Sequence, residues 1–524
     1  RHLSPLIGLA GAMGVAAMLS SAGHQAHAAD PCTALVGQAF GKARIESAEP
    51  NMSGTVAGGR GAALTGIPAF CRVRGLATPS PRSRIHFEAW LPLTGWNGRI
   101  QMIGNGGYSS AFSAGDLAAL VRQGSAAVAT DTGHEGGELD FGYDNDEAIA
   151  DWGHRAVHES IVAAKAVVAH FYGHAPRYSY FAGCSTGGHQ ALMEAQRYPA
   201  DFDGILAGDP GNNRTNLNFG FLWQFLANHE AGDNSHPVLT AQDLALVNRA
   251  AVKQCDALDG VTDGVIADPR QCRFAPAQLR CAPGKTPECL SDRQLQALQQ
   301  MYAGARRRDT GEAVYPGWPV GSEAPQGAGG WQTYWANPAK PDEPQRVEYF
   351  RRWAFRDPNW NWWSFDWSRG VDVARARMAP LVDATSPDLS AFERRGGKII
   401  LYQGWADPVV SAPDTIAYYE RMSAATPRAA KFSALFLVPG MGHCSGGPGA
   451  TDFSSGADAS GNVTLALQDW VEKGAKPDRI LAVHRQGRQP GAAALFSRPL
   501  CAWPQRVQYK GSGDMTNAVN FTCR

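Results

Sequence analysis

Apolar residues gather in short runs along the chain, at Ile85–Leu91, Arg99–Ile103, Ala126–Ala129, Tyr178–Ala182, Gly204–Ala207, Lys398–Tyr402 and Ala434–Val438. Each has strand length, and several are apolar nearly throughout, as a strand covered on both faces must be. Between them the spacing becomes helical, most clearly over Trp152–Phe171 and over Gly187–Arg197, which Pro199 stops. Strands alternating with helices predict an α/β fold with a mainly parallel sheet, helices lying on both faces. The alternation lapses between about Gly211 and Arg375, where acidic, Pro, Gly and Trp residues dominate. That stretch reads as an insertion or lid. It holds Trp223, Trp318, Trp331, Trp335, Trp353, Trp360, Trp362, Trp363 and Trp367, most of the chain's 15 tryptophans. Large aromatics bury much area each, so they are expected to build the insertion's own core; the alternative is that a few line an aromatic pocket.

The expected division is therefore 29–210 and 376–524 as two parts of one core, 211–375 as the lid, and 1–28 as an export signal. Arg1 and His2 precede an apolar stretch from Leu6 to Leu19, and Ala26-His27-Ala28 offers a small-x-small cleavage pattern. The stretch is too short to span a bilayer, and no later one approaches the roughly 20 residues a membrane helix needs. A secreted or periplasmic, soluble product is the expectation. Forty-eight basic residues balance 48 acidic ones. That removes the long-range electrostatic reason to expect nucleic acid or an anionic membrane as partner, and favours a small substrate of little charge.

Ten cysteines in an exported chain predict five disulfides. Local spacing favours Cys255 with Cys272, Cys281 with Cys289, and Cys501 with Cys523. Cys32, Cys71, Cys184 and Cys444 remain.

Gly183-Cys184-Ser185-Thr186-Gly187 fits G-x-S-x-G and stands directly after one expected strand and before one expected helix. Fifty-nine glycines make chance matches common, but this context is the one the motif requires: a sharp strand-to-helix turn that exposes a nucleophilic serine. The helix N-terminus then aims free N–H groups at a developing oxyanion. A serine needs a base, and the base a carboxylate that fixes its tautomer. Asp407 follows the run Lys398–Tyr402 within Gly404-Trp405-Ala406-Asp407-Pro408, and His443 follows Ala434–Val438 within Gly440-Met441-Gly442-His443-Cys444. Their order is the one α/β-hydrolases use. Asp452 is a rival acid, but it comes after the histidine with no strand before it. The oxyanion donors expected are the N–H of Thr186 and one from Gly106 or Gly107, in the turn Gly104-Asn105-Gly106-Gly107-Tyr108. If this triad assembles, Cys184 and Cys444 are brought together, and a disulfide there would tie the serine turn to the histidine loop.

With those residues in view, the chain resembles the tannase and feruloyl esterase family, which includes a hydrolase of mono(2-hydroxyethyl) terephthalate. The resemblance rests on Cys184-Ser185 paired with His443-Cys444, on Gly-Cys-Ser-Thr-Gly-Gly, on Gly-Trp-Ala-Asp-Pro and on the Asn-Gly-Gly turn. It implies an α/β-hydrolase fold with a large inserted lid domain, and a serine esterase that cleaves esters of aromatic acids through an acyl-enzyme. It also implies a structural Ca2+ in the lid, held by the loop from Cys255 to Val265. Asp256, Asp259 and Asp263 would bind through side chains, and Val261 and Val265 through carbonyls. For substrate contacts it implies Arg346 gripping a free carboxylate and Phe350, four residues on, against the ring; Arg351 and Arg352 are neighbouring alternatives. A secreted serine peptidase and a non-catalytic binding protein on the same fold are the competing readings, and an intact triad weighs against the second.

Overall fold

Every apolar run read from the sequence is a strand of one ten-stranded sheet. In chain order the strands are β1 (Ala39–Phe40), β2 (Ala43–Asn51), β3 (Phe70–Ala77), β4 (Ile85–Pro92), β5 (Arg99–Ile103), β6 (Ala126–Thr130), β7 (Tyr178–Cys184), β8 (Gly204–Gly208), β9 (Lys398–Gly404) and β10 (Ser433–Val438). Their spatial order is β1-β2-β3-β4-β6-β5-β7-β8-β9-β10. The computed structural model describes residues 30–524 except 59–60, 284–287, 488 and 490, so the expected export signal lies outside the described residues. Among the described residues no helix is long and apolar enough to cross a membrane.

From β6 to β10 all neighbours run parallel. Antiparallel pairing joins β1 to β2, β2 to β3, β3 to β4 and β4 to β6. The sheet is thus mixed, and the expectation of a mainly parallel one describes only its C-terminal half. β2 and β3 were invisible as apolar runs because they alternate: Ile45 and Val73 point inward while Arg44 and Arg74 reach solvent. An antiparallel strand with one wet face has that pattern.

Helices α1 (Ala156–Tyr172), α2 (Thr186–Arg197), α4 (Ala412–Ala425) and α5 (Val463–Lys473) pack near the sheet, whereas α3 (Arg214–Ala227) packs in the core of the inserted segment. α1 carries the helical spacing read at Trp152–Phe171, but its first turn is preceded by a π-helical turn, Asp151–Arg155, and Gly173 ends it at φ 80°. A left-handed residue at that position costs glycine little. Parallel register sets Gly208 beside both Cys184 and Tyr402, and Gly404 beside Val438. The C-terminal ends of β7 to β10 therefore lie level, and the loops that leave them share one edge of the sheet.

Between β8 and β9 the described residues add no strand to this sheet. The chain here builds helices with capping boxes at Thr240 with Asp243 and at Ser291 with Gln294, and two small hairpin sheets. Its core buries Trp318, Trp331, Trp335, Trp353, Trp362 and Trp367, with Trp223, Trp360 and Trp363 packed against them. Each such ring removes roughly 200 Å² from water, on the order of 5 kcal/mol gross. Trp353 stacks edge-on against Tyr108 and Trp152 of the sheet domain, joining the two cores. Five disulfides are formed: Cys32–Cys71, Cys184–Cys444, Cys255–Cys272, Cys281–Cys289 and Cys501–Cys523.

Candidate active site

The turn between β7 and α2 is tight enough to exclude side chains. A Cβ on Gly183 or on Gly104 would lie 2.6 Å from the Cα of Gly187, so three bare backbones meet where strand becomes helix and the Asn-Gly-Gly turn passes alongside. Ser185 sits at φ 64° and ψ −116°, outside the regions a residue with a Cβ prefers. Such a conformation costs on the order of 1–3 kcal/mol and persists only where the surroundings enforce it. Here the Ser185 N–H donates to Gly208 O at 2.9 Å, and its carbonyl accepts from His189 at 3.0 Å and Gly211 at 3.2 Å.

His443 and Asp407 meet as the sequence predicts. Nδ1 of His443 lies 2.8 Å from Oδ2 of Asp407, which is fully buried. Asp407 also accepts from the N–H groups of Val409 and Val410 and from the Gln403 side chain. This fixes the carboxylate, and the carboxylate leaves Nε2 as the free imidazole nitrogen on the pocket side. Burial pushes the His443 pKa down most, but the charge and hydrogen bond of Asp407 and the charge of Asp209 outweigh it, so the net shift is upward. Asp452, the rival acid, pairs instead with Arg485 and Ser455.

A cavity of about 310 Å³ contains Ser185 and His443 together with Gly106, Gly107, Thr186, Cys184 and Cys444. The two glycines and Thr186 thus line the same cavity as the serine and the histidine. Cys184 and Cys444 are bonded to each other, with Cα atoms 6.0 Å apart. Beneath this bridge lies Asp209, which sequence reasoning did not single out. Its carboxylate accepts from Gly404 N–H at 2.7 Å and Cys444 N–H at 3.0 Å, and Oδ2 is 3.4 Å from Cys184 Sγ. Burial, then the nearby Asp407 charge, raises its pKa well above the usual carboxylate range. One side chain thereby links the ends of β7, β8 and β9 to the histidine loop.

Leu217, Phe221, Val409 and Val410 supply apolar walls, while Tyr334, Arg214 and Arg346 supply polar ones. No lid tryptophan lines this cavity, so the aromatic pocket comes from Phe221 and Tyr334, and the tryptophans are core. Arg346 does reach the site: its guanidinium lies over the Tyr108 ring at 5.0 Å and donates to Tyr334 at 3.3 Å. Phe350 does not. It is buried in the lid core against Phe219 and Trp360, because Arg346, at φ 60°, precedes the π-helical turn Tyr349–Ala354 and a four-residue spacing there does not bring two side chains to one face. Arg351 and Arg352 are tied to Glu343, Glu348 and Asp140. Arg214 had no motif to announce it.

The Asp-rich loop lies elsewhere, closed by Cys255–Cys272. Asp256 accepts from the N–H groups of Asp263, Gly264 and Val265, and Asp259 from that of Val261. Arg498 holds one oxygen of Asp263 at 2.6 Å; the other is buried with no partner. Among the described residues the three carboxylates do not all come within 4.8 Å of one another. Burial, with the charges of Asp263 and Asp256, pushes the Asp259 pKa up to about 6. A small cavity of about 20 Å³ is lined by Asp259, Asp263 and Val265.

The tannase and feruloyl esterase family matches residues 71–524. An uncharacterized esterase of Xanthomonas campestris is 35% identical, with 95% of this chain and 92% of that protein covered. The mono(2-hydroxyethyl) terephthalate hydrolase of Piscinibacter sakaiensis is 35% identical over 88% of this chain and 86% of its own. The crystal structure of feruloyl esterase B from Aspergillus oryzae superimposes with a TM-score of 0.85 at 27% identity, covering 93% of this chain and 98% of that one. The chain therefore belongs to the tannase and feruloyl esterase family and is a carboxylic ester hydrolase with the α/β-hydrolase fold.

Proposed function

We propose that the protein is an exported serine esterase acting on esters of aromatic carboxylic acids through Ser185, His443 and Asp407. The observation that carries this is a strained serine sharing one cavity with a histidine that a buried aspartate orients. Nε2 of His443 takes the Ser185 hydroxyl proton as Oγ attacks the ester carbonyl. Negative charge on the carbonyl oxygen falls to the N–H of Thr186 and to that of Gly106 or Gly107. Collapse breaks the ester bond, and His443 returns the proton to the leaving alkoxide. Water, deprotonated by the same imidazole, then releases the acid and restores the serine. Five disulfides suit an oxidising compartment, which supports export.

A cavity of this size, with apolar walls and a guanidinium at one side, suits a single substituted benzene ring. Turnover of methyl ferulate, methyl gallate, mono(2-hydroxyethyl) terephthalate, a p-nitrophenyl ester and a peptide anilide tests the reading. Aromatic esters are hydrolysed and the anilide is not; the reverse ranking would make the protein a peptidase. Arg346→Met raises KM for the terephthalate monoester about tenfold and leaves methyl ferulate unchanged, since a charge-assisted hydrogen bond is lost only where the substrate has a free carboxylate.

For the Asp-rich loop we propose a structural calcium ion. The unpartnered Asp263 oxygen and the mutually repelling carboxylates support it, as do the carbonyls of Val261 and Val265, which accept no hydrogen bond from the described residues. Asp256, Asp259 and Asp263 with these carbonyls would hold the ion, which supplies positive charge that closes the loop. Chelation lowers the melting temperature by on the order of 3 °C, and Asp259→Ala does the same without a chelator. Melting curves unmoved by both would leave a solvated acidic turn.

A further inference from the structure

We infer that Arg214 is a positioning residue of the reaction, which through Thr186 holds a full positive charge behind the oxyanion hole. The inference rests on the reading of Ser185 as nucleophile. Arg214 is the first residue of α3 and is almost wholly buried. Its Nη2 donates to Oγ1 of Thr186 at 3.0 Å, and the backbone N–H of Thr186 is the one proposed above as an oxyanion donor.

Three further features keep that charge in place and unneutralised. The guanidinium lies over the faces of Trp152 at 5.2 Å and Tyr108 at 5.9 Å, which attract a cation without accepting its proton. Gly211 makes the space: a Cβ there would stand 3.0 Å from Nη2 and 3.3 Å from Cζ. No carboxylate of the described residues forms an ion pair with Arg214, and its Nε is buried with no hydrogen-bond partner. Asp383, the acid whose charge it feels, is spent on the N–H and hydroxyl of Thr215. Buried guanidinium groups are normally paired, and even the half-buried Arg351, Arg352 and Arg356 side chains of the same lid have carboxylate partners. An unpaired one beside a nucleophile is matched only when the substrate's carbonyl oxygen becomes negative. Fixed charge aimed at charge that exists only in the transition state lowers the barrier without tightening ground-state binding.

The same charge acts on His443, where it opposes the charges of Asp407 and Asp209. Removing it raises the imidazole's proton affinity further, so the imidazole stays protonated up to a higher pH and the acid limb of kcat/KM moves to higher pH. Loss of packing alone would not move that limb.

The test uses the full-length oxidised enzyme and a neutral p-nitrophenyl ester, so that no ion pair with the substrate is involved. In Arg214→Met, kcat falls about a hundredfold, KM stays within about threefold, and the acid limb shifts upward. Affinity for a phenylboronic acid, whose serine adduct is tetrahedral and anionic, weakens in step with kcat, while affinity for an uncleavable amide analogue is retained. If Arg214→Met does not fold, Arg214→Lys carries the test: the charge remains but the Nη2 hydrogen bond to Thr186 is lost, and kcat and boronate affinity fall together by about tenfold. An unchanged kcat, or a loss confined to KM, overturns the inference. Labelling of wild-type Ser185 by a fluorophosphonate is run alongside. Failure to label sinks the nucleophile assignment, whereas labelling together with an unaffected kcat in the variants sinks only the role of Arg214.

Discussion

Replacing Ser185 by alanine lowers turnover of any ester substrate by on the order of a million, and His443→Ala costs about the same, because triad members act as a unit. The fold survives the first change. Ser185 holds its place through its own N–H and carbonyl, bonded to Gly208, His189 and Gly211, and alanine keeps both groups. Its hydroxyl faces the cavity and supports no packing. Relief of strain is not expected either, since alanine has the same Cβ at φ 64°. Steady-state kinetics with a p-nitrophenyl ester, set beside circular dichroism and melting curves, measures both halves of the expectation. Turnover by folded Ser185→Ala within a hundredfold of wild type would dismiss the triad.

The second large effect is expected from Cys184→Ala combined with Cys444→Ala. Asp407 fixes the imidazole ring, but the histidine loop itself is held by the bridge to the serine turn and by the Cys444 N–H bonded to Asp209. Cys444 carries φ 63°, so its backbone is strained next to the base just as Ser185 is strained at the nucleophile. With the bridge gone, the loop is free to relax toward an unstrained conformation. Misplacement of about 1 Å is worth about a hundredfold in rate, so kcat falls by that order while KM changes little. The loss should be smaller in Cys184→Ala, Cys444→Ala than in Ser185→Ala and larger than any fall in melting temperature explains. A double variant with wild-type kcat would show that Asp209 and Asp407 suffice.

What could be read without coordinates was the chemistry that sits in consecutive residues. Gly183 to Gly187, Gly404 to Pro408 and Gly440 to Cys444 each carry their own turn and follow their own apolar strand, so local pattern singled out the candidate serine, acid and base. Pairing of Cys184 with Cys444 came from the same source, since each adjoins a triad residue. Residues whose role is created by packing between distant segments were not legible. Asp209 looks like a strand-end turn until Gly404 and Cys444 close over it, and Arg214 like a polar helix start until Trp152 and Thr186 enclose it. Phe350 went astray for a related reason: its role was carried over with the four-residue spacing that the family resemblance implied, and at Arg346 the backbone turns left-handed. The antiparallel strands β2 and β3 escaped because alternation over eight or nine residues with charged outward positions resembles a polar loop.

The place where the lid enters the sheet bears on how the chain folds. β8 ends at Gly208, and the partner that covers its other side, β9, begins only at Lys398. A chain emerging from its N-terminus completes the serine turn early, yet leaves β8 as an open, wholly apolar edge until the whole lid segment has followed. Open edges of that composition invite pairing with other chains. Truncation anywhere in the lid should therefore yield aggregates, not a soluble half-enzyme, and circular permutants opened between β8 and β9 should fold poorly even when every catalytic residue is retained.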